Sequence, residues 1–365
     1  MLNLSGLGSD ASKIDYAKLP VLTGQHALVS RGVKPWIFRQ HAYLAFYAGQ
    51  YWCMWSEGPA IEDKPTQHVH YATSNDGLQW TPDKVVAGPP PQEGYRYISR
   101  GFWLRDGQLI ALATLDNALA AQGARTPWSA DLQLLGFAWD PAGRQWAKPQ
   151  VISTDTMSNF PPEKLPNGQW AMMRRDHQDN VTFLVGGVDS PSVWKTWNVV
   201  GARSDAPLHP AEPVWWVLPD GRLLGLLRDS AGSKRIFQTL SADNGQHWLT
   251  PAISNFPDAD SKFFGFRTSR GYYVLVSNPN PAGRNPLCLS TSDDGLTFTR
   301  MARLPVPVEA VGGPVDVDNS SGTVQYPDVI EHGGQLLIAY SRHKTAVEVI
   351  QVSLDEVDRL RQGKL

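Results

Sequence analysis

Six stretches of this 365-residue chain concentrate side chains that move protons or bind anions. They are Ser56-Glu57 with Glu62 and His68, Asp116-Asn117, Arg174-Arg175-Asp176-His177, Arg228-Asp229, the run from Asn278 to Arg284, and Ser341-Arg342-His343-Lys344. A second set stands where apolar runs begin: Arg39-Gln40-His41, Tyr97 with Arg100, Asn159 with Glu163, Glu212, Asp260 with Lys262, and Gln325-Tyr326. The planar fork of arginine donates two parallel hydrogen bonds to a carboxylate. A ligand bearing an acidic group is therefore expected where these arginines converge. A neutral imidazole takes a proton near neutral pH, which nominates His41 as a base, with Tyr326 or His177 as proton donor. Gly, Ser and Pro would make the same turns without such chemistry. The plain alternative for any one of these residues is a structural salt bridge.

What must position these residues is a repeat. Thr73-Ser-Asn-Asp-Gly-Leu-Gln-Trp80 recurs as Ser241-Ala-Asp-Asn-Gly-Gln-His-Trp248 and as Thr291-Ser-Asp-Asp-Gly-Leu-Thr-Phe298, with hydroxyl, Asn/Asp, Gly and aromatic in register. The octet reads as a hairpin turn: the Asp or Asn side chain bonds the turn backbone, Gly supplies φ > 0, and the aromatic anchors the following strand. Degenerate copies at 139–146 and 190–197 put the anchors at 80, 146, 197, 248 and 298, spaced 66, 51, 51 and 50 residues apart. About fifty residues is four short strands with their turns, one blade of a β-propeller. Apolar runs split by a Gly turn support this in each unit: 42–47 with 51–55, 102–104 with 108–113, 214–218 with 223–227, and 264–267 with 272–276. A last unit, turning at Gly333-Gly334, supplies three obvious strands, and a segment such as 27–31 is expected to add the fourth and close the ring. The expectation is an all-β propeller of six blades, seven being the alternative count, closed by pairing of N- and C-terminal strands. As one domain it comprises an extension at 1–25, the propeller at 26–357 and a tail at 358–365.

Thirty-three basic and thirty-five acidic residues nearly cancel, so no overall field favours nucleic acid or an anionic membrane as partner. Cys53 and Cys288 sit in apolar runs and read as buried thiols rather than a disulfide. The opening residues lack a basic stretch followed by an apolar one, and no apolar run is long enough to span a bilayer. A cytoplasmic chain is expected, or a periplasmic or secreted one if a leader has been removed. His68 and His70 share one strand face, yet no cluster of metal-site spacing surrounds them, so neither metal nor cofactor is expected. Trp103, Trp215 and Trp216 are expected to pack in the core rather than stack on sugar.

The octets resemble the Asp boxes, or BNR repeats, of the sialidase superfamily, from about Gln40 to Val357. Two further stretches are similar to bacterial sialidase-like glycan enzymes: Arg284-Asn-Pro-Leu-Cys-Leu-Ser, and Tyr326-Pro-Asp-Val-Ile with 334–340 and Ser341-Arg-His-Lys. A third, Gln40-His41 with Met54-Trp-Ser-Glu-Gly58 and Glu62-Asp63, resembles propeller enzymes acting on rhamnose linked to glucuronate, and more distantly ulvan lyases. In those enzymes a His near the first strand is catalytic. The sialidase Phe/Tyr-Arg-Ile-Pro motif is broken here to Phe38-Arg39-Gln40-His41. The resemblance implies an acidic oligosaccharide or polysaccharide as substrate, with Arg39, Gln40, Arg100, Asn117, Arg174, Arg175, Arg228, Asn278, Arg284, Arg342, His343 and Lys344 as binding candidates.

Two chemistries are open. Elimination beside a uronate needs the carboxylate neutralised by Arg342 or Arg228, the C5 proton removed by His41, and the C4 oxygen assisted by Tyr326 or His177. A retaining sialidase instead uses a Tyr nucleophile activated by a carboxylate, a separate Asp acid and an Arg cluster, for which Tyr326 with Glu212 or Glu163 would serve. His41 and the broken motif tilt the expectation toward the rhamnose–uronate branch. A non-catalytic sugar-binding propeller is the rival outside enzymology, and an interaction scaffold ranks below it because these loops are so polar.

Overall fold

The computed structural model describes residues 2–5, 14–59, 61–121, 126–201, 208–308 and 323–365. Their strands form six sheets in chain order around a channel, antiparallel but for one added N-terminal strand. The count is six, not seven, and the ring closes as expected: Gln25–Arg31 pairs antiparallel with Ala346–Ser353 as the outermost strand of blade 6. The N-terminal extension contributes to another blade. Asn3–Leu4 runs parallel to Thr297–Arg303 and adds a fifth strand to blade 5. At the other end, helix Leu354–Arg361 crosses the expected tail boundary; Ser353 caps it by accepting from the Glu356 amide, and Leu354, Val357 and Leu360 are buried. No helix among the described residues is long and apolar enough to cross a membrane.

The Asp boxes are closed by the bonds their composition dictates. In the first, Asp76 Oδ1 accepts from the Leu78 and Gln79 amides, each at 2.8 Å, and Ser74 Oγ accepts from Gly77 N at 2.9 Å. Asp294 and Ser292 repeat the arrangement in the last box. The second box is not in strict register with them. Ser241 and Asp243 stand one residue further from Gly245, and Asn244 at φ 57° absorbs the extra residue. Gly245 itself, at φ 88°, lies so close to Phe183 that a Cβ would come within 2.2 Å of its ring.

Between blades the core is aromatic. Trp52 stacks on Tyr71 and meets Trp139 edge-on, Trp103 meets Trp170, and Phe183 meets both Trp215 and Trp248. Trp103, Trp215 and Trp216 are buried, as expected, and the Trp216 indole donates to Gly295 O of the neighbouring Asp box. Cys53 and Cys288 are free and buried in different blades.

The innermost strands carry the feature that builds the site. In four of them the pairing register slips at one place: between Gln40 and Tyr43, Ser99 and Gly101, Ala211 and Val214, and Gln325 and Asp328. These are β-bulges, which re-aim a side chain and sharpen the local twist. His41, Glu212 and Tyr326 take φ of 56°, 44° and 61° there. A non-glycine residue so placed costs about 1–3 kcal/mol, which the surrounding sheet must offset.

Candidate functional site

The four bulges of blades 1, 2, 4 and 6 bring His41, Arg100, Glu212 and Tyr326 to the wall of one cavity of about 350 Å³ at the mouth of the channel. Strand-end loops complete it with Glu62, Asp63, Trp128, Asn159, Arg175, Asp179, His209, Arg228, Arg284 and Lys344. Five cationic side chains thus face four carboxylates inside one largely buried space.

Tyr326, Glu212 and Arg228 form one bonded group. Arg228 Nη1 donates to Glu212 Oε2 at 2.7 Å and to the Tyr326 hydroxyl oxygen at 3.3 Å, leaving the phenol proton to bond Glu212. Burial opposes ionisation of Glu212, but Arg228 and the Tyr326 bond outweigh it and hold the carboxyl at about 2. Burial and the Glu212 charge together raise Tyr326, against the pull of Arg228 and Arg284. Arg284 lies over the Tyr326 ring at 5.7 Å, fixed by the Asp260 carbonyl at 2.6 Å and by Gln325. It makes no carboxylate ion pair among the described residues.

His41 meets the Tyr326 ring edge-on at 5.4 Å. Its Nε2 faces Glu62 Oε1 at 3.2 Å and its Nδ1 faces Ser56 Oγ at 3.2 Å. Burial, reinforced by Arg100 and Lys262, keeps the imidazole neutral against the opposing effect of Glu62. Glu62 is ionised, because the bond from His41 Nε2 and the Lys344 charge outweigh its burial. The single imidazole proton therefore sits on Nε2 facing Glu62, and the Nδ1 lone pair accepts from Ser56. No lone pair of His41 is left facing the cavity. Gln40 does not line the space; it donates to Glu62 at 2.8 Å and so helps to position this group.

Asp63 is the remaining acid on this side, held at φ 65° in the loop between Gln50–Gly58 and His68–Ser74. Burial and the neighbouring Glu62 raise it to about 6, even though Arg96 Nη1 stands 3.2 Å away.

Several sequence candidates lie elsewhere. Arg39 turns away from the channel to Glu57 at 3.1 Å and to the Trp36 and Phe38 carbonyls. Arg342 is locked onto Glu348 at 2.8 Å and the Pro307 carbonyl, so of the two expected carboxylate ligands this one is an internal ion pair and Arg228 alone lines the cavity. Arg174 donates to the Asp155 carbonyl, and His177 bonds Asp155 at 2.9 Å outside the cavity wall. Asn117 caps a turn at Ala120, Asn278 bridges the Val324 and Pro286 carbonyls, and His343 occupies a tight turn at φ 54° away from the wall. Glu163 faces a second, wider opening of about 950 Å³ with Trp170, Trp215 and Phe264, and does not line the cavity that holds Tyr326. The cavity thus gathers His41, Glu62, Arg100, Asn159, Arg175, Glu212, Arg228, Arg284, Tyr326 and Lys344 from the residues the sequence singles out.

Trp128, Asp179 and His209 belong to no repeat and were not nominated. Asp63 stands out in the sequence only through the resemblance at Glu62-Asp63. A sequence signal for the bulges does exist. His41-Ala42, Arg100-Gly101, Glu212-Pro213 and Tyr326-Pro327 each set a cavity-lining residue before a small residue or proline at the start of an apolar run, where Gly or Pro inside a strand marks a bulge.

Glu57, His70 and Asp83 offer ligand atoms near enough to share an ion. The His70 nitrogens, however, face different carboxylates, Glu57 at 3.3 Å and Asp83 at 2.8 Å, and Glu57 also pairs with Arg39. The three read as linked ion pairs.

The profile of the BNR repeat-like domain matches residues 49–338. The chain belongs to the BNR repeat-like domain family. Among solved structures this BNR repeat-like propeller is similar to a sialidase at 19% identity and TM-score 0.68, covering 97% of this chain but 35% of the sialidase. It is similar to the NanB sialidase of Streptococcus pneumoniae at 10% identity and TM-score 0.69, covering 91% and 71% of the two chains. A leech intramolecular trans-sialidase matches at 12% identity and TM-score 0.67, covering 92% and 70%. At these identities the likeness is one of fold. No curated protein matches the sequence.

Proposed function

We propose that this propeller is a retaining glycoside hydrolase acting on a sugar whose anomeric carbon carries a carboxylate, as in the 3'-sialyllactose from which the leech trans-sialidase complex was prepared. The observation that carries the reading is the group Tyr326–Glu212–Arg228 on the cavity wall, with Arg284 against the same ring. Arg228 and Arg284 bind the carboxylate. Tyr326 Oη attacks the anomeric carbon while the glycosidic C–O bond breaks; Glu212 accepts the phenol proton and Asp63 donates its proton to the leaving oxygen. In the second half Asp63 takes a proton from water, the water oxygen bonds the anomeric carbon, the bond to Tyr326 breaks, and Glu212 returns its proton. A phenol suits an anomeric carbon already bearing a carboxylate, because a charged nucleophile would be repelled there.

The rhamnose–uronate elimination expected from the sequence keeps Arg228 and Tyr326 in the cavity while Arg342 and His177 lie outside it; it draws less support because His41, its base, directs its Nε2 proton to Glu62 and its Nδ1 to Ser56. Incubation with a fluorogenic sialoside and with a rhamnosyl-glucuronate oligosaccharide tests the proposal. Release of fluorophore, lost in Tyr326→Phe, supports hydrolysis. A rise in ultraviolet absorbance from an unsaturated uronate, with no fluorophore released, would transfer the function to the elimination branch.

A further inference from the structure

The cavity has two halves, and the hydrolysis just described uses one. Blades 4 to 6 and 1 hold the nucleophile, its acid and base, and the two arginines beside Tyr326. Blades 2 and 3 supply Arg100, Trp128, Asn159 and Arg175, which that chemistry leaves idle.

Arg100 is the anomaly. It is 1% exposed, yet it makes no carboxylate ion pair among the described residues. Its Nε donates to Thr114 Oγ1 at 2.8 Å, the Tyr43 hydroxyl lies against the guanidinium, and the Trp128 ring is 5.8 Å from its centre. Nη2 is buried without a hydrogen-bond partner. Four residues earlier in the same strand, Arg96 shows what a satisfied arginine looks like here: it has Asp116 at 2.5 Å and Asp63 at 3.2 Å. Arg175 is matched by Asp179 at 3.0 Å, but its Nε is also buried and unpartnered, as is Asn159 Oδ1. A buried cation with unfilled donors is costly unless a counter-charge arrives.

The charge balance points the same way. Five cationic side chains and four carboxylates line the cavity. With Asp63 carrying the proton its role requires, three carboxylates remain charged. One substrate carboxylate at Arg228 and Arg284 leaves an excess positive charge on the side of Arg100; a second anionic group removes it.

We propose that the blade 2–3 half is a second anion subsite, in which Arg100, assisted by Arg175, holds an anionic substituent of the sugar. The substrate class is then a doubly acidic sugar, one acidic group at the anomeric carbon and another, a sulfate ester or carboxylate, reaching Arg100. Asn159 accepts a neighbouring hydroxyl and Trp128 covers the apolar ring face. The identity of the reacting carboxylate's partners rests on the proposed hydrolysis, whereas the Arg100 subsite rests on its own geometry.

Calorimetric titration of the full chain with inorganic sulfate at low ionic strength separates the two. Two sites are expected; Arg100→Met abolishes one and leaves the other within about twofold, and Arg284→Met does the reverse. Arg100→Lys keeps the charge and weakens its site by no more than about tenfold, which distinguishes loss of the cation from loss of the fold. One site in the wild-type chain, unmoved by Arg100→Met, overturns the subsite. An Arg100 site present with the Arg284 site missing overturns the carboxylate assignment and leaves the subsite standing. Parallel titration with acetate names the group: tighter sulfate at the Arg100 site indicates an ester, tighter acetate a carboxylate.

Discussion

Replacing Asp63 with asparagine removes one proton and almost no volume, so it isolates what that proton does. The wild-type carboxyl, raised to about 6 by burial and by Glu62, is about nine-tenths protonated at pH 5 and about one-tenth at pH 7. The protonated form is the active acid, so kcat/KM should fall as pH rises through about 6, close to tenfold between pH 5 and 7. Glu212, held at about 2 by Arg228 and Tyr326 against its burial, stays ionised across that window and contributes no limb. General acid assistance supplies about 10²–10⁴ in rate, and that factor depends on the leaving group. Asp63→Asn should lose it on a natural glycoside and keep most activity on an aryl glycoside whose phenolate departs unaided. The assay is the pH dependence of kcat/KM for both substrates with wild type and variant. Equal losses on both substrates, or an alkaline limb near 6 surviving in the variant, would refute Asp63 as the acid.

Tyr326→Phe should abolish turnover by at least about 10³ while sugar-acid affinity, read by calorimetry, changes only a few-fold, since the carboxylate contacts lie on Arg228 and Arg284. Arg284→Met removes charge-assisted bonds worth about 1.5–3 kcal/mol, so the dissociation constant for the same ligand should rise about 10- to 150-fold with kcat less affected. Gly245→Ala forces a Cβ to within 2.2 Å of Phe183 at φ 88°, and a loss of at least about 2 kcal/mol in urea unfolding is expected. Asp76→Ala deletes the two amide bonds that close the first box; about 1–2 kcal/mol of stability should go, with activity at 25 °C intact because the box lies outside the cavity wall.

What the sequence determined by itself is the frame. Turn chemistry is local: Ser74, Asp76 and Gly77 close their hairpin with bonds spanning at most three residues, so composition and spacing suffice to recognise a blade and count six of them. Even the missing strand at Gln25–Arg31 follows, because an open sheet edge must be covered. The second box shows where local reading stops. Alignment on Gly245 hid a one-residue shift that Asn244 absorbs with a positive φ.

The site is a different kind of object, because its members come from all six blades and which arginine faces the channel depends on strand register. Arg39 and His41 are two residues apart and would share a face in an unbroken strand; Arg39 precedes the bulge and His41 sits within it, so one meets Glu57 and the other Tyr326. Arg342 and Arg284 are equally plausible as residues, but Glu348 on the adjoining strand claims the first, and no described carboxylate pairs with the second, which is held by Gln325 and the Asp260 carbonyl. Sequence supplied the charged residues and the strands that carry them. Only the closed ring decided which charges neutralise one another in the walls and which remain unpaired in the channel, since that balance is set by strand register, by the bulges and by which blades face one another across the channel.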